Sequence, residues 1–235
     1  MYSYIGVDLS LTSAALVIKT NGVYHYLSYV KNFKYGKWTK LMNFVNITST
    51  EFKISDNYST NENNKLIDYD RITDQIIFDI KKITGDDNII YNIEGFSYSS
   101  GGKTSSIIDI VTYTTLFRSK MKNILNAKMN VISPSTLKMQ ACYLVYGGEI
   151  KKNKSGNIIK IITKTSDGIS GGSMKKHQIF KALNDSNINN DLTKFIRENF
   201  KEIYKMSSII KPLDDINDAF FLLLFLESNI VDIIK

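Results

Sequence analysis

Runs of apolar residues change period along this chain, and the period predicts its elements. Residues 2–9, 14–20 and 23–30 are short runs rich in β-branched and aromatic residues. A polar stretch at 10–13 separates the first two and Asn21-Gly22 the last two, so an antiparallel meander opens the fold. Residues 31–64 carry weaker signals, with short strands expected at 44–47 and 51–54 and a polar loop at 55–64, and are expected to form an insertion. Leu66, Tyr69, Ile72, Ile76, Ile80 and Ile83 then recur every three or four positions and predict a helix over 64–84, which Gly85 and Asp86-Asp87 stop. NIIYNIE at 88–94 is a buried strand ending in a carboxylate. A Ser/Gly loop, SSGGKTSS, leads to a helical pattern at 106–127, followed by a strand at 129–132. Ser133-Pro134 starts a helix over 134–146, serine capping and proline in the first turn. A Gly/Lys/Asn/Ser-rich stretch at 147–173 surrounds a possible hairpin, and helices are predicted at 174–183, 192–205 and 215–233.

Strands that alternate with crossing helices imply a mixed sheet flanked by helices, one α/β domain over 1–235 with insertions. Among 235 residues, 43% are hydrophobic and 23% charged, which excludes disordered and fibrous classes. The longest apolar run, 219–226, is eight residues, well short of the roughly 20 a membrane-spanning helix requires. No signal-peptide pattern opens the chain, and Cys142 has no second cysteine to pair with, so an intracellular, cytoplasmic protein without membrane association is expected.

The net charge of +7 is unevenly spread. Between Glu149 and Lys181 lie Lys151, Lys152, Lys154, Lys160, Lys164, Lys175, Lys176 and Lys181, opposed only by Glu149 and Asp167. Such a concentrated basic segment is the electrostatic footprint of a polyanion partner, or else a solvated loop.

The acids fall in unusual places. Asp8 lies inside the apolar strand YIGVDLS, Glu94 ends a buried strand, and Asp214, Asp215 and Asp218 open the apolar helix LDDINDAFFLLLFLE. A carboxylate in a low-dielectric setting must be paired or bind a cation. Helical spacing places Asp215 and Asp218 on one face and turns Asp214 about 100° away. Taken singly, the helical acids have an ordinary role as caps and dipole partners, and Glu94 as a solvated strand end. Together, oxygen ligands without an accompanying His/Cys set suit Mg²⁺ or Mn²⁺. His25 and His177 are too few and too far apart for a zinc site.

The strand IGVDLSLTSAALVI, the strand IIYNIEGF, the stretches ISPSTLK and SMKKHQIFKAL, and the terminal DINDAFFLLLF stand in one order. In that order the chain resembles the RuvC-type Holliday junction resolvases, with their phage and poxvirus relatives in the RNase H-like nuclease superfamily. The likeness covers the first 30 residues and most of 88–230. It implies an RNase H-like mixed five-stranded sheet, with metal-binding catalytic acids at Asp8, Glu94, Asp215 and Asp218 and two Mg²⁺ ions for which Mn²⁺ substitutes. It further implies catalytic, phosphate-contacting Lys176, with Lys175 its neighbouring contender, and a phosphate contact at Lys138. DNA contacts are expected from Lys151, Lys152, Lys154 and Lys103, and a junction-centre role from Phe96 or Tyr98. The implied activity is paired nicking of four-way DNA junctions by a homodimer, the helix at 106–127 forming part of its interface.

Two other readings fit parts of the chain. DLSLTS resembles the phosphate-binding turn of actin-like ATPases and sugar kinases, but Leu9 stands where those have glycine and the chain is about half their length. A non-catalytic RNase H-like nucleic-acid-binding module would not retain all four acids.

Overall fold

The computed structural model describes residues 1–31, 36–85, 87–95, 104–155 and 158–228. Three antiparallel strands, β1 (Tyr2–Asp8), β2 (Ser13–Thr20) and β3 (Val23–Lys31), form the opening meander, and Asn21 and Gly22 of its second turn both have positive φ. After helix α1 (Gly36–Leu41), strand β4 (Val45–Thr50) runs parallel to β3. Helix α2 (Tyr58–Thr84) returns the chain to β5 (Asn88–Glu94), which pairs in parallel with β1. Helix α3 (Thr104–Leu125) leads to β6 (Lys128–Ile132), parallel to β5. The main sheet therefore has the order β4-β3-β2-β1-β5-β6. Helix α4 (Pro134–Tyr146) is followed by a separate hairpin of β7 (Glu149–Lys152) and β8 (Ile158–Ile162), then by α5 (Lys176–Asp185), α6 (Asp191–Tyr204) and α7 (Leu213–Glu227).

The mixed sheet flanked by helices is as expected, with a sixth strand added to the predicted five. That strand comes from the segment expected as an insertion. Val45 joins Trp38 and Met42 in the core, so residues 36–50 complete the sheet edge. No strand forms over 51–54; Phe52 instead packs its ring against Tyr69 and beneath the Lys31 ammonium. The helix expected from residue 64 begins at Tyr58. Asn57 caps it by accepting from the Thr60 N–H at 3.0 Å, and its first two turns are polar on every side, so no periodicity announced them.

The pleat decides which residues face which layer. Odd-numbered positions of β1 and β5, Ile5, Val7, Ile89, Tyr91 and Ile93, enter a core closed by α2 and α3. Even-numbered positions face α7, which lies within a second core shared with α4, α5 and α6. Gly6 permits this approach: a Cβ there would overlap the Ala219 carbonyl oxygen and stand 2.6 Å from the Leu223 nitrogen. Across the ladder, buried Asn92 donates to the Leu222 carbonyl at 2.9 Å and accepts from Asn130 at 3.1 Å. Backbone contact at Gly6 and side-chain contact at Asn92 fix α7 along the sheet. No helix among the described residues is long and apolar enough to cross a membrane.

Candidate active site

Asp8 and Glu94 are the next even positions after Gly6 and Asn92, so both carboxylates face α7. Val7 is opposite Ile93 in the parallel ladder, placing the two acids side by side at the carboxyl edge of neighbouring strands, roughly 5 Å apart at the backbone. The first turns of α7 supply Asp214, Asp215 and Asp218, all buried. Leu213, Ile216, Ala219 and Phe220 are wholly buried around them, which holds this end of the helix against β1 and β5.

Two lysines hold the helix acids. Lys176, the first residue of α5, donates to Asp214 Oδ2 at 2.7 Å and to Asp218 Oδ2 at 3.0 Å. Lys211, four residues before Asp215, reaches its Oδ1 at 3.0 Å. Asp215 Oδ2 and Asp218 Oδ1 are buried with no hydrogen-bond partner among the described residues. Each of these aspartates therefore has one oxygen held by a lysine and one left over.

The electrostatics follow from crowding. Burial raises the Asp8 carboxyl well above the usual range, and the charges of Asp215, Asp218 and Glu94 raise it further against the opposing pull of Lys176. Burial, with Asp214 and Glu94, pushes Asp218 up to about 7 despite Lys176. Asp215 is raised by burial against the charge and hydrogen bond of Lys211. Glu94 is raised by burial, countered by Lys176 and Lys138. Burial alone would depress the Lys176 ammonium, but Asp218, Asp214 and Asp8 outweigh it and raise its pKa. The cluster has more negative charge than its lysines neutralise, which favours a cation of higher charge.

Among the described residues no three acids stand close enough to ligate one ion as they are placed. The donor set nevertheless fits a hard divalent cation: all candidate ligands are carboxylate oxygens, and two are buried without partners. Asp8, Glu94, Asp215 and Asp218 are the residues that would hold it.

A cavity of about 240 Å³ opens beside this cluster, lined by Glu94, Asp218, Lys176, Pro134, Leu137 and Lys138 among others. Ser133 caps α4 through the Thr136 N–H at 3.2 Å, setting the helix start that carries Lys138 to the cavity wall. Lys176 is brought among the acids, whereas Lys175 is exposed and its backbone N–H donates to Gln178 Oε1 at 2.6 Å. Lys151, Lys152 and Lys154 are exposed on the β7–β8 hairpin and its turn, and none of them lines the cavity beside the acids. Phe96, Tyr98 and Lys103 lie outside the described residues. His177 is engaged with the Met206 carbonyl at 3.0 Å. Helical spacing alone left Asp214 without a role and turned it away from its neighbours; the structure returns it to the cluster through Lys176. Lys211 escaped the sequence altogether, and its one signal there is the i, i+4 spacing to Asp215.

No family model and no curated protein matches the sequence. Among solved structures the chain is similar to RuvC of Thermus thermophilus, at 10% identity and a TM-score of 0.46, covering 97% of this chain and 96% of that one. It is similar to the same organism's RuvC in complex with a Holliday junction substrate, at 8% identity and 0.47, with the same coverage. It is also similar to the yeast mitochondrial Holliday junction resolvase, at 9% identity and 0.47, covering 94% of this chain and 75% of that one. With an antiparallel β1–β2–β3 meander, β5 and β6 added in parallel beside β1, and the last helix across the central strand, the chain has an RNase H-like fold.

Proposed function

We propose that the protein is a divalent-metal-dependent, structure-selective DNA endonuclease, a Holliday junction resolvase that makes paired nicks in branched DNA. One observation carries the reading. Asp8 and Glu94, from neighbouring strands, face the helix that carries Asp215 and Asp218, with two buried carboxylate oxygens unpartnered, beside a cavity lined by Lys138 and Lys176.

Two Mg²⁺ ions held by these acids, or Mn²⁺ in their place, would supply Lewis acidity for hydrolysis of a phosphodiester. Asp8, on the central strand beside Glu94, would be a ligand shared by the two ions. Lys176 has a half-exposed side chain at the cavity. Its ammonium has three donors, so it can meet a phosphate oxygen while Asp214 retains it. Lys138 offers a second cation in the lining of the same cavity. Water attacks phosphorus and the 3′ oxygen leaves, giving 5′-phosphate and 3′-hydroxyl ends. A single chain brings one acidic cluster among its described residues, so cutting two strands calls for a two-fold homodimer, for which α3 is the proposed contact.

The test is cleavage of a synthetic four-way junction and a matched linear duplex with Mg²⁺. Symmetric nicks in the junction, absent from the duplex and abolished in Asp8→Asn, are expected. Equal cutting of both substrates would make it a general nuclease, and metal-dependent ATP turnover without DNA cutting would rule out nuclease function.

A further inference from the structure

Lys211 makes a second contact that the acid set does not require. Besides Asp215 Oδ1, its ammonium donates to Ser10 Oγ at 3.0 Å. The Ser10 hydroxyl is fully engaged, because it also donates to the Ser13 carbonyl at 2.8 Å and accepts from the Ser13 N–H at 3.1 Å. Lys211 therefore ties the β1–β2 turn, which begins immediately after Asp8, to the first turn of α7, which carries Asp215. The remaining Asp215 oxygen, Oδ2, is the buried one without a partner.

From this geometry we infer that Lys211 is a positioning residue for the metal site. It occupies one oxygen of Asp215 so that the other presents to the cation, and it fixes the end of β1 relative to α7. The inference rests on the metal-binding reading of the acids. Lys176 holds Asp218 in the same one-oxygen manner, but it also borders the cavity and is assigned to phosphate. Lys211 is not among the residues lining that cavity, and both its contacts are internal.

A positioning role and a mere counter-charge predict opposite signs. A lysine acting only by charge repels a divalent cation, so its removal tightens metal binding. A lysine that orients a ligand loosens binding when lost, by roughly 10- to 100-fold for partners that orient metal ligands. The experiment is Mn²⁺ titration of the purified protein by calorimetry, without DNA, with folding checked by thermal melting. Lys211→Met is expected to weaken Mn²⁺ binding by at least about tenfold, and Lys211→Arg, which keeps donors and charge, to restore most of it. Ser10→Ala leaves the charge intact and cuts the tether, and is expected to weaken binding in the same direction by a smaller factor. Unchanged or tighter binding in Lys211→Met overturns the role, as does unchanged binding in Ser10→Ala should Lys211→Met not fold. Absence of Mn²⁺ binding sensitive to Asp8→Asn in the parent protein instead overturns the metal reading, and this proposal with it.

Discussion

At the scale of single residues, the acidic cluster couples protonation to stability. Burial pushes the Asp218 carboxyl up to about 7 from an ordinary 3.8, and Asp8, Glu94 and Asp215 are raised in the same direction by the same cause. Between about pH 4 and pH 7 the folded state therefore holds protons that the unfolded chain has released, and stability falls as pH rises through that window. Every tenfold difference in proton affinity between the two states is worth roughly 1.4 kcal/mol, enough to move a melting temperature by several degrees. In chelator, the protein is expected to melt at higher temperature at pH 5 than at pH 7.5. Saturating Mg²⁺ or Mn²⁺ is expected to raise the pH 7.5 value and narrow the gap, and Asp218→Asn to flatten the profile in chelator. A chelated melting temperature that climbs steadily over this range would contradict the cluster's electrostatics. The four acids were legible in the sequence because a carboxylate within an apolar run is an anomaly that physics must resolve. Lys211 was not, because a lysine four residues before an aspartate is ordinary and its other partner, Ser10, is 201 positions away in the chain.

At the scale of elements, strong periodicity read correctly and weak periodicity did not. β5 and the start of α4 stand where the sequence placed them, the first because it is uniformly apolar and the second because Ser133-Pro134 is a cap in its own right. The first two turns of α2 escaped, while the short strand expected at 44–47 is β4, which runs on to Thr50 and joins the main sheet as its sixth strand. Those two turns have no apolar face of their own and depend on Asn57, and beyond Ile47 the strand is polar and gains its order from hydrogen bonding to β3. Gly6 was equally silent in sequence, since only the docked α7 gives its missing side chain a meaning. Gly6→Val is expected to destabilise the fold by about 3 kcal/mol or more, because the intruded atoms are backbone that cannot swing aside. Urea denaturation measures the loss. A change below about 0.5 kcal/mol, the range of ordinary surface substitutions, would mean that α7 does not sit directly on β1.

At the scale of the whole molecule, the acidic cluster with its lysines and the lysines of the β7–β8 hairpin adjoin opposite ends of α4. Lys138 and the acids flank its first turns, while the β7–β8 hairpin follows its far end; thirteen residues span that distance, roughly 20 Å at 1.5 Å per residue. Replacing Lys151, Lys152 and Lys154 together by Gln is expected to weaken junction binding at low salt and to reduce the slope of log affinity against log salt by about two to three. The cleavage rate at saturating protein should change little. An unaltered salt slope in the binding titration would show that the hairpin is a solvated ornament.

The two-residue pleat of β1 and β5 has a consequence for how such a chain can change over time. Asp8 and Glu94 reach α7 only because they share parity with Gly6 and Asn92. Loss or gain of one residue within either strand would turn its carboxylate into the apolar layer under α2 and α3, dismantling the acidic cluster and costing stability in one step. Lineages descended from this sequence should therefore tolerate length variation in the hairpin turn and around β4, while length changes inside β1 and β5 survive only in twos.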